Sequence, residues 1–112
     1  SILRPFNELR RDPACRVYRY WDEVEQPVES GSRDARIITY VVPGKRTVFA
    51  VVAADPEGNV AVPVTLRPGR MGLEDGYRLR KWESMMDTET DDDTFIARIP
   101  RYDVRIYEVV PR

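Results

Sequence analysis

An all-β fold, an antiparallel sandwich of about seven or eight strands with Greek-key or jelly-roll-like connections, is predicted by three features of the sequence. Nine prolines and six glycines punctuate the chain. Between them the apolar residues fall in short runs or alternate with polar ones, which is the period of a strand rather than a helix. No amphipathic segment of about ten or more residues interrupts that pattern. A chain of 112 residues is of a size to bury one core. Residues 1–112 are therefore expected to form a single domain, with 1–13 as a linker or N-terminal extension.

Within that extension Pro5 to Arg11 (PFNELRR) is the only helical candidate apart from one loop turn. Ala14 to Trp21 (ACRVYRYW) alternates as a half-buried strand does, Cys15 and Val17 on one face and Tyr18 and Tyr20 on the other. Ala35 to Val42 (ARIITYVV) is β-branched and aromatic, and Pro43-Gly44-Lys45-Arg46 supplies a hairpin turn into Thr47 to Ala54 (TVFAVVAA). Both strands are nearly continuous apolar runs, so burial on both faces or a central place in a sheet is expected. Asp55-Pro56-Glu57-Gly58 forms a second turn, leading into Asn59 to Leu66 with Val60, Val62 and Val64 on one face. Pro63 cannot donate to a ladder, which assigns this strand to an edge or a bulge. Arg67 to Gly76 is turn-rich, with room for a helical turn near Met71 to Asp75. Tyr77 to Trp82, Thr94 to Ile99 and Asp103 to Val109 then alternate in period two. The expected core comprises Val17, Ile37, Tyr40, Val48, Phe49, Val51, Val62, Leu66, Leu79, Phe95, Ile99, Val104 and Ile106.

Lys and Arg number 18 against 19 Asp and Glu, a formal charge of -1. No overall field draws such a chain to nucleic acid or an anionic membrane, and neither is an expected partner. Histidine is absent. That removes the commonest general base, the usual partner of a Ser or Cys nucleophile, and the commonest transition-metal ligand. Cys15 is the single cysteine, so an intramolecular disulfide and any multi-cysteine metal site are excluded. A lone thiol suits a reducing compartment and a secreted domain alike. No apolar run approaches the roughly 18 residues of a membrane span, and Ser1 to Asp12 is too charged for a signal peptide. The first residue is not Met, so a piece of a longer polypeptide is expected.

Three groups of residues invite a functional reading. Tyr18, Tyr20 and Trp21 lie beside Asp22 and Glu23, and Trp82 precedes Glu83. Such residues suit a platform that stacks a sugar ring while carboxylates bond its hydroxyls. They suit equally the packing of a strand core or of an interface with a neighbouring domain, which is the favoured reading. Asp87, Glu89, Asp91 and Asp93 set carboxylates at alternate positions, as a calcium ion would want. The segment lacks the glycine and distal glutamate of an EF-hand loop and reads better as a solvated hairpin tip. Arg98, Arg101, Arg105 and Arg112 are interleaved with Asp103 and Glu108, the pattern of solvated strand faces with cross-strand ion pairs. Pro68-Gly69-Arg70-Met71-Gly72 is not followed by Lys-Ser/Thr, so no phosphate-cradling loop is present. No cofactor is expected, and no pair of carboxylates is marked out for catalysis.

A longer pattern runs through the chain. "TVFAVVAADPEGNVAVPVTL" gives strand, turn and strand; "MGLEDGYRLRKWES" gives a Leu- and Gly-containing loop; "FIARIPRYDVRIYEVVPR" gives a strand, a Pro, a polar corner and a final alternating strand. From about Asp34 onward this order resembles the C-terminal β-sandwich domain that follows the barrel in many glycoside hydrolases, including α-galactosidase-like and hexosaminidase-like enzymes. The leading "VYRYWDE" is similar to the Tyr-Trp segment linking barrel and sandwich in one hexosaminidase-like group. In that family the catalytic carboxylates lie in the barrel, so none carries over to a position here. The resemblance implies a non-catalytic ancillary domain that packs against the catalytic barrel of the same polypeptide, in a secreted or periplasmic setting. The contact surface is expected around Tyr18, Tyr20, Trp21 and Trp82. Two alternatives stay open: a carbohydrate-binding module using surface aromatics, and a structural or adhesion-type sandwich acting through protein contacts.

Overall fold

The computed structural model describes residues 3–55 and 57–112. Among them a helix, α1 (Arg4–Arg10), precedes nine strands: β1 (Arg16–Tyr18), β2 (Val28–Ser30), β3 (Ala35–Val42), β4 (Arg46–Ala53), β5 (Val60–Leu66), β6 (Tyr77–Lys81), β7 (Asp87–Thr88), β8 (Thr94–Ile99) and β9 (Val104–Pro111). They form two antiparallel sheets, one of order β1-β3-β4-β9-β6-β7 and one of order β2-β5-β8. The sequence identifies seven of the nine. The other two, β2 and β7, have three and two residues, too few to display a period.

Alternation along the strands becomes layering. From the larger sheet Ile37, Val41, Phe49, Val51, Tyr107 and Val109 point toward the smaller one, where Val62, Val64, Leu66, Phe95, Ala97 and Ile99 meet them in one buried cluster. Phe49, Phe95 and Tyr107 form its aromatic centre, with ring centroids 4.9 to 6.3 Å apart. Each fully buried aliphatic or aromatic side chain is worth about 1.5–3 kcal/mol over its exposed state, so this cluster is the main source of stability.

The opposite face of the larger sheet explains the continuous apolar runs of β3 and β4. Helix α1 lies over it, and Phe6 and Leu9 pack onto Val42, Val48 and Ile106, with Tyr40, Ala50, Cys15 and Trp82 at the margins. Pro5 sits in the first helical turn, where its missing N–H costs nothing. Phe6 and Leu9, three residues apart, share a face, and the Phe6 ring meets Tyr40 edge-on at 5.0 Å. This helix falls within one residue of the Pro5 to Arg11 candidate. Of the expected core residues Val17, Tyr40 and Val104 are only half-buried. All three lie on this outer face, which a helix of seven residues covers only in part.

The strand containing Pro63 is not at an edge, contrary to the expectation from its sequence: β5 is the central strand of the smaller sheet. Its partner β2 ends at Ser30, opposite Val64. Pro63 therefore comes one row past the end of that ladder, where its carbonyl accepts the Gly31 N–H at 2.7 Å and no donor is required of it. The missing N–H points away from β8, so the longer ladder is unaffected.

The helical turn of the following loop occupies Pro68–Met71, earlier than the expected Met71 to Asp75, and buries Met71. Gly72 follows at φ 71°, and Gly44 in the β3–β4 turn has φ 74°. The Gly44 N–H donates to the Met71 carbonyl at 2.8 Å, and a Cβ on Gly72 would stand 2.7 Å from the Gly44 nitrogen. Two loops thus touch backbone to backbone where only glycine fits. In the Asp55-Pro56-Glu57-Gly58 turn the Glu57 N–H bonds the Asp55 carboxylate at 3.0 Å; Pro56, like residues 1–2 of the N-terminal extension, lies outside the described residues.

Candidate functional site

The four aromatic candidates do not share one surface. Tyr18, on β1, is half-buried against the inter-sheet cluster. Trp82 belongs to the outer cluster near α1, with the Arg46 guanidinium 5.4 Å from its ring. Tyr20 and Trp21 stand together in the β1–β2 connection, 47 % and 60 % exposed, and Val24 on the same connection is 56 % exposed. Their rings meet at 88° with centroids 4.7 Å apart, an edge-to-face pair that presents no flat platform. The connection is nevertheless ordered by its own bonds. Asp22 accepts the Arg19 N–H at 2.9 Å, and the Gln26 amide donates to the Arg19 carbonyl at 3.0 Å. Arg36 lies 5.0 Å from the Tyr20 ring, and a shallow cleft beside it is lined by Gln26, Glu29 and Ser30.

The acidic segment divides in two. Asp87 belongs to β7 and pairs with Arg78 at 3.1 Å. Asp91 and Thr94 exchange backbone hydrogen bonds around Asp92 and Asp93, both at positive φ, which makes a tight two-residue turn at a hairpin tip. Asp93 accepts the Tyr77 hydroxyl at 2.6 Å, and burial followed by this bond pushes the Tyr77 phenol above its ordinary pKa. Among the described residues no group of three or more His, Cys, Asp or Glu side chains is placed to hold a metal ion, so Asp87, Glu89, Asp91 and Asp93 do not converge.

The strongest electrostatic feature is one that the alternation pattern misassigned. Glu108, read as part of a solvated strand face, is only 2 % exposed. The cross-strand ion pair is present: Arg80, directly opposite on β6, donates through Nε to Glu108 Oε1 at 2.7 Å. Arg46 bonds the other carboxylate oxygen and reaches Glu8 on α1 at 2.8 Å, while Arg4 bonds Glu8 at 3.1 Å. A chain of five alternating charges thus ties the helix to β4, β9 and β6. One signal in the sequence pointed to this: Ile106, an expected core residue, shares a strand face with Glu108, and the structure buries both.

Both Glu108 oxygens are committed to guanidinium groups, so this carboxylate is held as a structural tie between strands and helix. Cys15 is half-buried, and burial, followed by the nearby Asp12 charge, raises its thiol pKa and so disfavours the thiolate. Neither a family model nor a curated protein matches the chain.

Proposed function

We propose that the chain is a non-catalytic β-sandwich module of a carbohydrate-active enzyme, packed against the catalytic barrel of the same polypeptide and contributing stability and shape to it. The observation that carries this reading is the solvent-facing pair of Tyr20 and Trp21, held outside both hydrophobic clusters on a connection that also exposes Val24. An apolar patch on a bonded loop is a characteristic contact surface. The engagement of Glu108, Glu8, Glu29 and Asp87 by arginines agrees with a scaffold role. The resemblance of the chain from Asp34 onward to the sandwich domains of glycoside hydrolases supplies the identity of the neighbour.

A carbohydrate-binding module is the second reading, favoured by the 60 % exposure of Trp21, a ring able to stack on a sugar by itself. The test has two arms. The reading frame containing the chain should encode a barrel domain ahead of it, and a frame without one removes the proposal. Titration of the purified chain with oligosaccharides should leave tryptophan fluorescence unchanged. A saturable change that disappears in Trp21→Ala would transfer the assignment to sugar binding, and unaided hydrolysis of a glycoside would overturn both readings.

A further inference from the structure

Three strands cannot cover six, and part of the larger sheet's inner face has none opposite it. There Lys81 and Arg105 follow the buried Leu79 and Tyr107 in the alternation, and a groove opens between them and β8. Among the described residues the only neighbour of β8 in its sheet is β5. The direction of its backbone groups is fixed by two bonds: the Leu66 N–H donates to the Asp93 carbonyl toward β8, and the Pro63 carbonyl accepts from Gly31 toward β2. Ile96 and Arg98, which face Pro63 and Ala61, are therefore non-hydrogen-bonded pairs, and their N–H and C=O groups point into the groove. Thr94, the next in the series, is already bonded to Asp91.

The groove has a chemical bias as well as an open ladder. Lys81 and Arg98 enter none of the ion pairs formed among the described residues, whereas Asp87, which also lines the groove, is taken by Arg78, and Arg105 is paired with Asp103. Two apolar side chains stand open in it, Met86 at 68 % and Ile96 at 48 % exposure. We infer that β8 is a docking edge for an extended acidic segment of a partner protein, which joins the smaller sheet as a fourth strand. Main-chain bonds to Ile96 and Arg98 supply the pairing, Lys81 and Arg98 select carboxylates, and Met86 and Ile96 take apolar side chains between them. A second copy of the chain fits less well, because pairing β8 with itself joins two Arg98 side chains with no carboxylate in either strand. This surface is separate from the Tyr20 and Trp21 loop, so the inference stands or falls apart from the proposed function.

The probe is a fluorescein-labelled peptide of three Glu-Val repeats, titrated into the whole chain and followed by anisotropy and amide exchange. Binding should be saturable, should weaken about tenfold or more on going from low to high salt, and should slow exchange at Ile96 and Arg98. Ile96→Pro removes an N–H that β5 does not use and should weaken binding about tenfold, the worth of one or two main-chain bonds. Arg98→Glu should shift preference to a Lys-Val peptide, and circular dichroism establishes that each variant is folded. If Ile96→Pro does not fold, Arg98→Glu decides. The inference is overturned by absent or salt-insensitive binding, by unchanged preference in folded Arg98→Glu, or by unchanged affinity in folded Ile96→Pro. Protection of the Ile96 and Arg98 amides in the free monomer, or a dimer formed through β8, would overturn it equally.

Discussion

Replacing Glu108 by Ala leaves two guanidinium groups facing a void. Removing one partner of a buried ion pair typically costs about 3–5 kcal/mol, because the remaining charge is neither hydrated nor paired. Here Arg46 and Arg80 each keep 24 % of their side-chain exposure, and Arg46 retains Glu8 at 2.8 Å. Water and Glu8 thus compensate part of the loss, while Arg80 is left with no carboxylate. The expected cost is near the lower end, about 3 kcal/mol, a large share of the roughly 5–15 kcal/mol that stabilises a domain. Glu108→Gln preserves shape and one acceptor, and should cost about 1.5–3 kcal/mol, the worth of a charged hydrogen bond. Urea unfolding read by tryptophan fluorescence measures both, with the slope m checking that the unfolded state is unchanged. A loss below about 1 kcal/mol for Glu108→Ala at constant m would refute the reasoning, since the network would then be no better than its desolvation cost.

Gly72→Ala places a methyl group against the Gly44 backbone at positive φ, and thermal melts should show a loss of at least about 1–3 kcal/mol. The Thr39 hydroxyl is buried and finds no partner among the described residues; Thr39→Val should raise stability by about 1 kcal/mol in the same urea assay. Acid should destabilise the fold through Glu8, Glu29 and Asp103. Arg46 then Arg4 lower Glu8, Arg67 then Arg70 lower Glu29, and the Val104 N–H then Arg105 lower Asp103. Depressed folded values mean a contribution complete above the ordinary pKa of 4.5 for Glu and 3.8 for Asp, and lost as pH falls below them. The urea midpoint should hold steady from neutral pH to about 5 and drop beneath 4.5, less steeply in Glu8→Gln with Glu29→Gln.

The strands were legible wherever side-chain period had room to repeat. Ala35–Val42 and Thr94–Ile99 match their sequence bounds, because six to eight residues of β-branched and alternating character leave one solution. The helix over 4–10 showed in the sequence only as a candidate by residue propensity over Pro5 to Arg11, because seven residues are too few for a helical period to stand out. The partnership of strands was not, since period alone does not say which sheet a strand joins. Pro63 misled for that reason: its own chemistry demands a missing neighbour, and the short β2 supplies that locally within a central strand. Glu108 misled because a charged residue at an alternating position is ordinarily solvated, and the cover over it comes from a helix about a hundred residues away in sequence. The aromatic residues were legible as a set, but their division between core, outer cluster and surface depends on which face of which sheet each occupies.

The contact of Gly44 with Gly72 makes the two ends of the sandwich unequal. At that end the connections following β3 and β5 interlock through main chain, and any added atom must displace a backbone. At the far end the Pro100–Asp103 turn is tethered by a side chain alone, Asn59 Oδ1 to the Arg101 N–H, and Arg101, Tyr102 and Asp103 face solvent. Sequence drift, grafted peptides and loop insertions should therefore accumulate at the far end, while the glycine end stays short and nearly invariant in length.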